Sequence, residues 1–147
     1  MKKTGIASAI LVAGLFFTSC EESTMPEIDM HEFGYENTGT ASPGGDLHMD
    51  AEIVASATIS EISIEIHGGE EHAHKKAVYD GHEWEVDTVY TEYSGLKNTT
   101  FHEHIEVPET APLGEYHFYL KVTDMEGYQE IYEADLELKE GVEHDHK

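Results

Sequence analysis

Three His-x-His pairs punctuate the sequence: His72/His74, His102/His104 and His144/His146. On a β-strand, side chains two apart project from one face, so such a pair sets two imidazoles side by side. At that spacing they can share one metal ion, and neutral imidazole is a good borderline ligand for Zn²⁺ or Cu²⁺. His48, His67 and His117 join them on the polar side of alternating stretches. The chain carries 11 His in all, which puts metal chemistry first among the chemistries to weigh. Glu70, Glu71 and Glu103 lie nearby as candidate oxygen ligands, or as acceptors for the far nitrogen of a ligating ring.

The elements that must position these residues are strands. Leu47, Met49, Ala51 and Ile53 alternate with His48, Asp50 and Glu52, the period-two pattern of a strand with one wet face. Ile62, Ile64 and Ile66 alternate with Ser63, Glu65 and His67. Trp84, Val86 and Thr88 form a run after the Asp80-Gly81 turn. Phe101, Ile105 and Val107 alternate with His102, His104 and Glu106, while Tyr116, Phe118, Leu120 and Val122 alternate with His117, Tyr119 and Lys121. Tyr132, Ala134, Leu136 and Leu138 make the last strand, and a first one is expected near His31–Tyr35. Turn signals separate them at Gly44-Gly45, Gly68-Gly69, Ser94-Gly95, Pro108 through Gly114, and Glu126-Gly127. The expectation is an all-β fold, an immunoglobulin-like Greek-key β-sandwich of about seven strands. Pro112 to Tyr116, running into Val122-Thr123-Asp124, resembles the F-strand region of Ig-like and fibronectin-like modules, with Tyr116 as the corner tyrosine.

Ig-like strand order then groups the histidines. The strand ending at His67 becomes the antiparallel neighbour of the strand holding His117, and His72 and His74 follow in the next loop. The sharpest expectation is therefore a metal cluster of His67, His72, His74 and His117. In the other sheet, the strand starting at His48 pairs with the one carrying His102 and His104, which makes a second cluster. Both gather toward one pole of the sandwich.

Other chemistries lack their residues. A type 1 copper centre needs a Cys thiolate, and the only Cys is committed elsewhere. A copper–zinc dismutase also uses His-x-His on a sandwich but needs a disulfide. No Gly-x-Ser-x-Gly elbow, phosphate loop or His-Glu-x-x-His motif is present. A short sandwich without long loops leaves little room for a water-excluding active site, so the chain is not expected to be an enzyme. Asp124-Met125-Glu126-Gly127 reads as a hairpin turn in preference to a calcium loop.

Composition gives the address and the field. The 147 residues hold 8 Lys+Arg, all of them Lys, against 31 Asp+Glu, a formal charge of −23. Such a chain repels phosphate backbones, which excludes a nucleic-acid partner. Met1-Lys2-Lys3, the apolar Ile6 to Phe17 and then Thr18-Ser19-Cys20 have the layout of an export signal, with an apolar run too short to span a bilayer. Phe17-Thr18-Ser19-Cys20 resembles a bacterial lipobox in which Cys20 carries the lipid. Acidic Glu21-Glu22 after it resembles the surface-export signal of Bacteroidetes lipoproteins. Removal of residues 1–19 takes Lys2 and Lys3 with it, leaving 128 residues and a formal charge of −25. That field raises the cation concentration around the imidazoles. The expected organisation is a lipoprotein signal peptide at 1–19, lipidated Cys20 and a polar tether at 20–30, the sandwich at 31–140 and a His/acidic tail at 141–147.

Together, His67 to His74, Trp84, Phe101-His102-Glu103-His104-Ile105-Glu106-Val107-Pro108, Gly114-Glu115-Tyr116-His117-Phe118 and Val122-Thr123-Asp124 resemble an uncharacterised Bacteroidetes family. Its members are small His-rich Ig-like lipoproteins, known only as a domain of unknown function. The resemblance implies the fold and a lipid-anchored place in the cell envelope, at the outer membrane, and leaves activity open. The expected function is capture of Zn²⁺ or Cu²⁺ through His67, His72, His74, His117, His48, His102 and His104. Beyond the membrane, the expected partner is an envelope transporter or a surface component. The alternative is a structural or adhesive module for a protein or glycan, with Trp84, Tyr90 and Tyr93 as exposed aromatic contacts.

Overall fold

The computed structural model describes residues 24–68 and 84–141. Alternation decides the local structure. In the strand Asp46–Val54, Leu47, Met49, Ala51 and Ile53 are fully buried while His48, Asp50 and Glu52 face outward. The described residues form eight strands: β1 (Glu27–Phe33), β2 (Thr40–Ala41), β3 (Asp46–Val54), β4 (Ile59–Gly68), β5 (Val86–Tyr90), β6 (Asn98–Glu106), β7 (Gly114–Asp124) and β8 (Gln129–Leu138). They make a three-stranded sheet in the order β1-β3-β6 and a five-stranded sheet in the order β2-β8-β7-β4-β5. The chain crosses to the second sheet at β4 and β5, returns for β6, and crosses again for β7. That interleaving is the Greek key of an Ig-like sandwich.

The two inner faces meet in one core. Phe101 and Phe118 are its largest fully buried side chains, joined by Leu47, Met49, Ile53, Ile62, Ile64, Ile66 and Leu120. Each such side chain contributes about 1.5–3 kcal/mol of burial free energy. Phe33 packs on Phe118 with ring centroids 4.6 Å apart. The Tyr116 hydroxyl donates to the Pro112 carbonyl at 2.8 Å, which makes Tyr116 the corner tyrosine of the fold. At the β7–β8 hairpin, Asp124 Oδ1 accepts from the amides of Glu126 and Tyr128 at 2.9 and 2.8 Å. Gly127 supplies the positive φ of 88° there, so the segment is a turn.

Two details differ from the expected pattern. β1 opens at Glu27, inside the stretch expected as tether and four residues before the expected sandwich start. Ile28 and Met30 pack against the core, but acidic neighbours disguise the strand. β2 is a two-residue strand added parallel to β8. It follows Gly34, whose φ of +72° and close approach to the Thr40 amide (2.6 Å from where a Cβ would sit) leave no room for a side chain.

Register sets the outer faces. β1 pairs Met30 with Ala51 and then Glu32 with Asp50, so His31 is the extra residue of a β-bulge. A bulge breaks the alternation of its strand and re-aims side chains. Here Asp29, His31 and Glu32 are all exposed. Since β3 ends and β4 begins around the short 55–58 turn, the start of β3 and the end of β4 lie at the opposite pole. The end of β6 and the start of β7 join them through the same pairings.

Candidate metal site

The outer face of the three-stranded sheet carries three touching imidazoles. Antiparallel pairing of β3 with β6 sets His48 opposite His104 and Asp50 opposite His102. Ring centroids lie 4.7 Å apart for His48 and His104, 4.9 Å for His48 and His102, and 5.2 Å for His102 and His104. One nitrogen from each ring falls within 4.8 Å of one from each of the others. Nitrogen ligands of one tetrahedral zinc are about 3.3 Å apart, so modest rotation of exposed rings closes the set.

A carboxylate stands at Nδ1 of every ring in the trio. Glu32 Oε2 lies 3.4 Å from His48 Nδ1, Asp50 Oδ2 lies 3.2 Å from His102 Nδ1, and Asp46 Oδ2 meets His104 Nδ1. An acceptor at Nδ1 holds the ring hydrogen there and leaves the lone pair on Nε2, the arrangement found behind metal-ligating histidines. The His48 side chain is 15 % exposed, against 53 % for His102 and 45 % for His104. Such a site is shielded on the β3 side and open to solvent on the other. Three nitrogen ligands suit four-coordinate zinc or tetragonal copper with water in the remaining position.

On the opposite outer face, His67 pairs with His117 across β4 and β7, with ring centroids 5.5 Å apart. His117 Nδ1 faces Asp135 at 3.6 Å, and His67 stacks on Tyr119 at 5.6 Å. His72, His74, Glu70, Glu71, Cys20 and the tail pair His144/His146 lie outside the described residues. The cluster expected first is thus described in two of its members. Among the described residues, the cluster expected second is the one whose ring nitrogens come together.

Glu103 plays neither of its expected roles. It lies one residue from His102 and His104, so the period of two turns it to the other side of β6. There it accepts a hydrogen bond from the Tyr93 hydroxyl at 3.1 Å. Desolvation first, and this bond second, push the Tyr93 phenol up to about 12. Tyr93 and Tyr90 are half-buried and pack edge-on against Phe101 at 5.4 and 5.1 Å. Trp84 is 6 % exposed and packs on Tyr116 at 5.5 Å. The exposed aromatic contacts of the alternative reading are therefore part of the packing.

Four functional candidates escaped sequence reasoning: His31, Glu32, Asp46 and Asp50. The alternation of Asp46, His48 and Asp50 does put them on one face, which was a usable signal. For His31 and Glu32 the sequence holds no such signal, because the bulge that exposes both depends on the pairing with β3.

A protein family described as "Domain of unknown function (DUF4625)" matches residues 18–139. The chain belongs to this family. Comparison with curated proteins gives no match. Among solved structures, OgpA from Akkermansia muciniphila is similar with a TM-score of 0.52 and 13% identity, over 79% of this chain and 30% of that one. The GspB Siglec domain is similar with a TM-score of 0.50 and 19% identity, over 80% of this chain and 59% of its own length. The chain thus spans under a third of OgpA. At such identities the likeness is one of fold.

Proposed function

We propose that this protein is a cell-envelope lipoprotein, anchored at Cys20, whose domain binds Zn²⁺ or Cu²⁺ through His48, His102 and His104 for capture or delivery. The observation that carries the reading is the convergence of three imidazoles, each with a carboxylate at Nδ1. Three such rings supply both the donor atoms and their orientation. The strongly acidic chain adds a long-range attraction for cations. An open, shallow position favours exchange with a transporter over permanent burial of the ion, and binding without turnover over catalysis. The adhesive alternative is weakened by the packing of Trp84, Tyr90 and Tyr93 against other rings.

The test is calorimetric titration of the full mature chain with zinc and with copper, repeated on H48A/H102A/H104A. The reading requires binding tighter than about 100 µM, or roughly −5.5 kcal/mol, that the triple variant loses. Weaker binding, or equal binding by both proteins, overturns it.

A further inference from the structure

Beside the trio, His31 is held in an unusual position. Its Nδ1 lies 3.5 Å from Asp50 Oδ1 and its Nε2 lies 3.5 Å from Asp29 Oδ2. A neutral imidazole has one N–H and one lone pair. Between two carboxylates, the ring can turn its N–H to only one of them, and its lone pair then faces the other. The lone pair that faces a carboxylate is a position that a metal ion shared by ring and carboxylate can take up.

We propose that His31 Nδ1 and Asp50 Oδ1 form a second metal position for the same class of ion, beside the trio and linked to it through Asp50. The separation fits the chemistry. A nitrogen and an oxygen bound to one tetrahedral zinc at about 2.0–2.2 Å lie roughly 3.4 Å apart, and the observed distance is 3.5 Å. Asp50 is the better partner of the two, since its side chain is 25 % exposed against 81 % for Asp29. Its other oxygen is fixed by His102 at 3.2 Å. One carboxylate therefore ligates one ion and orients a ligand of its neighbour. The backbone points the same way: His31 is the extra residue of the β1 bulge, which turns it onto this face together with Glu32. Two protein ligands leave the remaining positions to water, so this ion is held more weakly than one in the trio.

The experiment is zinc titration of the full mature chain near neutral pH, followed by nitrogen shifts of the histidine rings and by bound-zinc stoichiometry. The variants are His31→Gln, Asp50→Asn and Asp29→Asn. Expected results are a zinc-dependent shift at His31 Nδ1, after the trio fills, and one zinc equivalent fewer in H31Q with the shifts of His102 and His104 retained. D50N removes the His31 response and D29N keeps it. The inference is overturned if His31 responds to pH but not to zinc, meaning a proton only, or if H31Q binds as many equivalents as the parent. Loss of the trio reading has a separate signature: His48, His102 and His104 would stay silent whatever His31 does.

Discussion

His48 on β3 and His104 on β6 are register partners whose rings lie 4.7 Å apart on the outer face of the sheet. Cross-strand partners of this kind are the closest approach that two strands offer to a pair of side chains. Adding His102, two residues along β6, makes a triangle with its third corner supplied by strand period alone. The site is a product of register.

Replacing a corner should therefore weaken binding strongly without harming the fold. His104→Ala is expected to weaken zinc binding more than a hundredfold, about 2.8 kcal/mol. Because that ring is 45 % exposed, unfolding of the metal-free chain should move by no more than about 0.5 kcal/mol. Calorimetry and denaturant melts on the same samples separate the two effects.

The carboxylates behind the rings should matter less than the rings but more than ordinary surface acids. Asp46→Asn keeps the shape beside His104 and removes the charge. Zinc affinity should fall roughly 10–100-fold. Glu61→Gln, an acid on β4 in the other sheet, is the control and should leave affinity within a factor of about two, since charges beyond a Debye length are largely screened.

Metal binding should follow proton competition. An imidazole must be deprotonated to ligate, and the free ring titrates near about 6.5. Zinc affinity measured from pH 8 to 5 is expected to fall, with protons released on binding in proportion to the rings engaged. A flat profile over that range would point to carboxylate-only binding.

At the alkaline end the most strongly shifted of the described groups is Tyr93, whose phenol is pushed up to about 12 from an ordinary 10 by desolvation and by its bond to Glu103. The sign follows from linkage: a pKa raised in the folded state favours folding while the phenol is protonated, below 10. That stability drains as pH rises from 10 toward 12. Melts across this window should show the loss, and Glu103→Gln should shrink it. Ultraviolet titration of the phenols gives the shift directly.

In the core, Tyr116→Phe removes the hydroxyl bond to Pro112 and should cost about 1 kcal/mol. Phe118→Ala opens a cavity between the sheets and should cost about 3–5 kcal/mol. Zinc affinity measured on still-folded Y116F should match the parent.

Strands were legible because one face of nearly every strand is apolar and the other charged or hydroxylated. Leu47 to Ile53 and Tyr116 to Val122 could have been nothing else. The faces on which His48, His67, His102, His104 and His117 sit came from the same rule, as did the pairing of His67 with His117 and of His48 with His104. What the alternation could not carry was anything set by an irregularity. The bulge at His31 shifts β1 by one residue against β3, and only the partner strand reveals it. The start of β1 was hidden for a related reason, since Glu27, Asp29 and Glu32 make a half-buried edge strand look like a polar tether. Glu103 was misplaced by reading closeness in sequence as closeness in space, although its odd spacing from both histidines already turned it away.

The join between β3 and β6 has a consequence for the folding chain. Asp46 and His104 are 58 residues apart, and nothing local brings them together. Closing such a loop is slow and entropically costly. Until it closes there is no trio, so an ion that prefers the trio recognises only chains that have completed this pairing. At a free concentration one hundred times its dissociation constant, such an ion adds about 2.7 kcal/mol to the folded state. For a domain of ordinary stability, about 5–15 kcal/mol, that is a large share. Supply of the proposed metal would then set how long each copy survives proteases.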